Sequence, residues 1–190
     1  PLALNEQQLD QIAEALNNQN PATLLTVGFN RRFAPLAVQL KDFIADRNGP
    51  LYAFYRVNAG PLPASHWLND PQQGGGRIIG EGVHFIDFIN YLVGSSPISV
   101  SAQALAAGGD ALEDNVQITL GFSDGSLGTV SYLANGDRAF PKERLEVFCG
   151  GRVAVLDDFR SLETIYQSQR KISRSRLRQD KGHQAEWQGF

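Results

Sequence analysis

Three histidines, one cysteine, 17 Lys and Arg and 20 Asp and Glu carry the reactive chemistry of this sequence. His84 is the residue best suited to proton transfer. Glu81 precedes it by three, and in a helix the two share a stripe with Arg77 and Phe88. A carboxylate beside an imidazole fixes its tautomer and raises its basicity, which suits general acid/base work. The same spacing also fits a structural histidine held by hydrogen bonds. Glycines at 74, 75, 76, 80 and 82 surround the pair, and each costs about 1 kcal/mol against alanine in a helix interior. Their presence implies close approach by a backbone or a ligand, or a tight entry turn at 74–76. They do not form a phosphate loop, because no Gly-x-Gly-x-x-Gly follows a strand and no Gly-Lys-Ser/Thr occurs. His183 and Glu186 share a helix face but lack the ligand set of a metal site, so no metal is expected. The basic residues Arg170, Lys171, Arg174, Arg176, Arg178 and Lys181 face one acid, Asp180. That run could take an anionic group such as a diphosphate, but reads first as a solvated loop or interface arm.

The elements that position these residues follow from periodicity. Residues 5–18 read as a helix, with Leu9, Ile12, Ala13 and Leu16 at i, i+3, i+4, i+7 and Asn5 with Gln8 as cap and return partner; residues 18–21 close it. Residues 24–29 are almost wholly apolar, the pattern of a strand covered on both faces. A helix begins near Ala34 with Pro35 in its first turn, buries Leu36, Leu40, Phe43 and Ile44, and stops at Gly49-Pro50. Residues 51–58 are a strand. Residues 60–76, with His66 and Trp67, are a long loop of the kind that covers a site or an interface. Residues 77–93 are a helix apolar over most of its circumference, hence largely buried.

Strands dominate the remainder. Residues 97–106 alternate with Ile98, Val100, Ala102 and Ala104 on one face, and 115–122 alternate likewise. Ser123-Asp124-Gly125-Ser126 turns the chain into 127–134. Residues 143–149 and 152–156 form a hairpin around Gly150-Gly151, and 161–167 add a strand. The fold class is α+β, a mainly antiparallel mixed sheet with helices on one face. Residues 51–58 and 127–134 are apolar on both sides, so a second subunit is expected on the open sheet face, giving a homo-oligomer.

A length of 190 residues is enough for one sizeable core. A net charge of −3 and 19% charged residues argue against disorder and against nucleic-acid binding. No apolar run reaches the roughly 18 residues of a membrane span, and a single cysteine, Cys149, precludes an intramolecular disulfide and reads as a small buried hydrophobe. A cytoplasmic location is expected. Residue 1 is Pro and no methionine occurs, which points to a segment of a longer protein.

The sequence Gly28-Phe29-Asn30-Arg31-Arg32-Phe33-Ala34-Pro35, then Trp67-Leu68-Asn69-Asp70-Pro71 running into the glycines at 74–76, then His84-Phe85-Ile86-Asp87 and Leu92-Val93-Gly94, resembles the Gfo/Idh/MocA family of NAD(P)-dependent oxidoreductases. The resemblance spans essentially the whole chain in motif order, and residues 181–186 look like the opening of the family's final helix. It implies a glyceraldehyde-3-phosphate-dehydrogenase-like C-terminal domain at residues 31–190 for substrate binding and oligomerisation. Residues 1–30 would be the helix-strand remnant of a Rossmann domain that holds NAD or NADP. Pro1-Leu2-Ala3-Leu4 resembles the residues that follow the family's Glu-Lys-Pro motif, so the segment itself would lack the catalytic lysine and be inactive.

The implied substrate is a sugar, nucleotide sugar or cyclitol, oxidised at a CH–OH group. His84 resembles the family histidine that shares proton transfer with that lysine, and Glu81 stands one residue after the family's aspartate position, which here is Gly80. Asn30 and Arg32 resemble positions near nicotinamide and substrate. Arg77, His66 and Trp67 complete the expected substrate-binding set, and Arg31 reads equally as an ordinary solvated or structural arginine. The other reading of the Gly80 departure is a non-catalytic oligomerisation or ligand-binding module that keeps the fold.

Overall fold

The computed structural model describes residues 2–18, 24–63, 65–105, 114–175 and 178–189. Pro1, Pro21, Ala106 and Arg176, which figure in the sequence reading, lie outside them. Helix α1 (Glu6–Asn17) starts as its cap predicts, with Asn5 Oδ1 accepting the Gln8 N–H at 2.9 Å. The return bond comes one residue earlier than expected, from the Leu4 N–H to Gln8 Oε1 at 2.8 Å. None of its side chains is buried. Residues 24–29 belong to no strand, and Leu24 and Leu25 are exposed. A strand buried on both faces needs ladder partners and covering helices, and the sheet formed by the described residues lies elsewhere.

A single 3₁₀ turn, Asn30–Phe33, leads into α2 (Pro35–Ala45), which has Pro35 in its first turn and buries Leu36, Ala37, Leu40 and Ile44. It ends at Asp46, short of Gly49-Pro50. Strand β1 (Tyr52–Asn58) follows, then the long loop with a 3₁₀ turn at Trp67–Asn69. The expected helix over 77–93 divides in two. Ile78–Gly82 form a wide π-type turn, and α3 (Val83–Val93) continues to Gly94. Its apolar side does as expected: Phe85, Phe88, Ile89, Leu92 and Val93 are buried.

Seven more strands follow: β2 (Pro97–Ala104), β3 (Val116–Phe122), β4 (Leu127–Leu133), β5 (Glu143–Cys149), β6 (Arg152–Asp157), β7 (Ser161–Tyr166) and β8 (Gln169–Arg174). A short helix, α4 (His183–Gln188), comes last. The strands make one sheet in the order β2-β3-β4-β1-β5-β6-β7-β8, antiparallel except where β1 lies parallel to β4. Strand β8 occupies part of the basic run, where the sequence reading has a loop or arm. Its charges conceal the alternation, and Arg170 pairs with Glu163 on β7 at 2.5 Å. Lysine and arginine on an edge strand oppose further pairing.

Helix α3 lies over β1 and β4, and α2 over β6 and β7. Beneath them Tyr55, Val130, Leu145 and Leu156 stand in register across four strands, all fully buried. Val100 shares that face of the sheet, since it pairs with the buried Leu120, and Ile98 sits at the irregularity between Pro97 and Ser99. Ile98 and Val100 are 70% and 69% exposed, because the helices stop short of edge strand β2. On the opposite face Leu127, Tyr52, Phe148, Val153 and Ile165 form a row across β4, β1, β5, β6 and β7. The first three are more than 40% exposed. No helix of the described residues is long and apolar enough to cross a membrane.

Candidate functional site

His84 sits in the first turn of α3, with its ring edge-on to Phe29 at 5.9 Å between centroids. It makes no hydrogen bond among the described residues. Burial, then the nearby Arg31 guanidinium, lower its pKa below the ordinary 6.5, against the smaller pull of Glu81 and Asp87. The imidazole is therefore neutral at pH 7, the form that can accept a proton. It lines a pocket of about 380 Å³ together with Asn30, Trp67 and Glu81. A groove of about 540 Å³ on the open sheet face has no such cluster; it is walled by Tyr52, Leu127, Phe148 and glycine backbone.

The pocket's floor is a buried ionic knot. Arg31 donates from Nε and Nη2 to the two oxygens of Glu143, at 2.8 and 2.9 Å, and its guanidinium lies 4.7 Å from the centre of the Phe85 ring. Tyr55 Oη and Lys181 Nζ also donate to Glu143. Burial alone pushes the Glu143 carboxyl up, but the hydrogen bonds and charges of Arg31 and Lys181 outweigh it and hold its pKa down at about 2. One carboxylate thereby ties the 30–33 turn, β1, β5 and the approach to α4 into one body.

Glu81 lines the pocket but does not bond His84, contrary to the expected carboxylate–imidazole pair. The π-type turn gives it to other partners: Tyr132 Oη and Lys142 Nζ donate to it, and Arg77 Nη2 lies 3.7 Å away. Burial raises its pKa, and these partners together lower it further than burial raises it. Arg77 is itself buried beneath the site, donating to Tyr132 Oη at 2.9 Å and to the Gly60 carbonyl at 2.7 Å. It steadies Glu81 and does not line the pocket. Gly80 is glycine for a visible reason: a Cβ there would collide with the Leu68 side chain and crowd the Gly74 carbonyl. The loop that carries Trp67 fills the space a side chain at position 80 would need.

Two expected contacts lie elsewhere. Arg32 turns away to Asp87, with Nε donating to Oδ2 at 2.8 Å, and borders a polar groove beside Tyr91 and Ser95. His66 caps the 3₁₀ turn, its Nδ1 accepting the Leu68 N–H at 3.3 Å. The pocket instead gains Gly28, Arg31, His183 and Glu186. The three-residue spacing of His183 and Glu186 is visible in the sequence, but nothing local tells that their helix faces His84.

The match to known proteins now has a geometry behind it. Residues 39–151, more than half of the chain, match the model of the GFO/IDH/MocA C-terminal domain. The chain belongs to the Gfo/Idh/MocA family. It is 35% identical over 112 residues to the rhizopine catabolism protein MocA of Rhizobium meliloti, a match covering 56% of this chain and 35% of that protein. Solved structures share the fold. An aldose-aldose oxidoreductase from Caulobacter crescentus superposes with a TM-score of 0.79 at 16% identity, covering 98% of this chain and 57% of that one. The UDP-N-acetylglucosamine 3-dehydrogenase GnnA from Acidithiobacillus ferrooxidans gives 0.74 at 20%, covering 94% and 55%. An NAD binding oxidoreductase from Klebsiella pneumoniae gives 0.73 at 24%, covering 91% and 52%. The chain thus spans about a third of the curated relative's length and about half that of these structures.

Proposed function

We propose that this chain supplies the substrate-binding and oligomerisation half of an NAD(P)-dependent oxidoreductase that acts on a CH–OH group of a sugar, nucleotide sugar or cyclitol. The observation that carries the reading is a neutral, half-buried His84 in a pocket of monosaccharide size, beside the polar side chains of Asn30 and Glu81. Family membership and the sugar-acting enzymes among the fold's neighbours support it.

The described residues do not fit a whole dinucleotide. They contain no glycine-rich turn between a strand and a helix to cradle its phosphates, and the pocket's volume is at the lower end for ligand sites. The nicotinamide would supply the hydride acceptor from a part of the protein other than these residues. What this chain's residues do is narrower. Trp67 and Asn30 border the bound hydroxyl compound, Glu81 is held ionised at its edge, and His84 takes the hydroxyl proton or passes it on. Arg77 positions Glu81, and Arg31 positions the floor below His84.

The experiment is turnover by the full-length protein with NAD and with NADP across sugars, nucleotide sugars and inositols, read as reduced-cofactor absorbance. Activity on at least one carbohydrate alcohol is expected. Silence on every substrate in a protein that binds dinucleotide would favour the second reading, a non-catalytic module of the same fold, which the Leu68 side chain against Gly80 specifically supports.

A further inference from the structure

Among the described residues the Glu186 carboxylate has no partner, whereas Arg31 and Glu81 in the same pocket are both paired. Of the pocket's ionisable side chains, Arg31 is committed to Glu143, and Glu81 to Tyr132, Lys142 and Arg77. His183 Nε2 lies 3.4 Å from Asn30 Nδ2, which makes that nitrogen the acceptor. Glu186 forms no ion pair among the described residues, and its Oε1 is shielded from solvent with no donor from those residues reaching it. It lies against Gly28, where an added Cβ would come within 3.3 Å of that oxygen.

The position is built, not loose. Asn30 Nδ2 donates to the Lys181 carbonyl at 2.8 Å, and Lys181 Nζ to Glu143 at 2.6 Å. Gly182 takes φ +86° with its Cα against the backbone of Asn30 and Ala34, an approach that leaves no room for a side chain. These contacts fasten α4 at the pocket, which Glu186 lines together with His84.

We propose that Glu186 is a specificity-determining carboxylate: it takes a hydrogen bond from a hydroxyl or ammonium group of the bound substrate, and so selects neutral or amino-substituted polyols over those with an anionic group at that end. A buried carboxylate oxygen without a donor is costly, and a ligand donor removes that cost. A ligand carboxylate or phosphate would add a like charge in a partly desolvated site. The proposal rests on the reading of this pocket as the substrate site and names the substrate's charge class.

The test compares Glu186→Gln with the full-length wild type, using glucose, glucosamine and glucuronate as probes. Binding is read by ligand-observed NMR, and kcat and KM are measured for whichever probe turns over. The wild type should bind glucose or glucosamine more tightly than glucuronate. Glu186→Gln should weaken the neutral or amino probe about tenfold or more, narrow the gap to glucuronate, and raise KM with kcat held within about threefold. Gly28→Ala, which crowds the same oxygen, should weaken the same probe. Unchanged affinities and an unchanged order in Glu186→Gln, or no binding of any probe by the wild type, would overturn the proposal. Binding that depends on Glu186 in a protein without turnover would leave the proposal standing while the oxidoreductase reading failed.

Discussion

His84, Asn30, Trp67 and Glu81 are brought to one pocket from three separate segments of chain. Glu81 enters it with partners other than His84. The sequence places it one residue past the family aspartate, but only coordinates show that a π-type turn hands it to Tyr132 and Lys142. Over five residues, i+4 and i+5 hydrogen bonding leave the same apolar pattern, so that turn has no legible signature. Gly80 provides a test at this scale. Gly80→Asp should cost about 1–2 kcal/mol, because its Cβ displaces Leu68. Adding Leu68→Ala should recover part of that loss in chemical denaturation. Equal and additive losses would show that the two residues do not compete for one space.

Arg31 was indistinguishable in sequence from any arginine in a basic pair, since its partner Glu143 is 112 residues away. At the scale of elements that pair has a measurable consequence. Glu143 titrates from an ordinary 4.5 when unfolded to about 2 when folded. A depressed folded pKa contributes stability that is fully present above pH 4.5 and is lost as pH falls through about 2. The contribution at neutral pH is about 3 kcal/mol. Glu143→Gln should therefore be less stable at pH 7 and show a flatter loss between those two values in pH-dependent denaturation. Identical acid limbs in the two proteins would remove Glu143 from this role. Strand β8 and residues 24–29 err in opposite directions for one reason: pairing decides a strand. Basic side chains hid a strand that has a neighbour, and apolar ones suggested a strand where the described residues offer none.

For the whole molecule, the strand alternation made both the α+β class and the single covered face legible. The exposed apolar face is legible as well at Tyr52 and Leu127, from apolar residues on both sides of two strands, and Phe148 on β5 extends it in the structure. Contiguous apolar surface of this kind marks an interaction surface, and a second copy of the chain is the occupant we propose. Phe148→Glu should lower the mass measured by light scattering to that of a monomer while leaving the circular dichroism spectrum unchanged, since Phe148 contributes little to the buried core. A monomeric wild type at micromolar concentration would contradict the assembly. The sequence shows α4 only as the opening of a helix, because its place at the pocket depends on contacts to Asn30 and Glu143 about 40 to 150 residues distant.

The proposed transfer of the substrate proton by His84 is open to direct test through the pH dependence of kcat/KM in the full-length protein, with and without His84. Because burial and Arg31 keep the imidazole deprotonated below its ordinary 6.5, wild-type kcat/KM should hold its plateau through that pH and fall only on the acid side of it. His84→Ala should lower kcat/KM by about 10²-fold or more and abolish that acid limb. A His84→Ala protein with wild-type kcat/KM and the same acid limb would remove His84 from proton transfer.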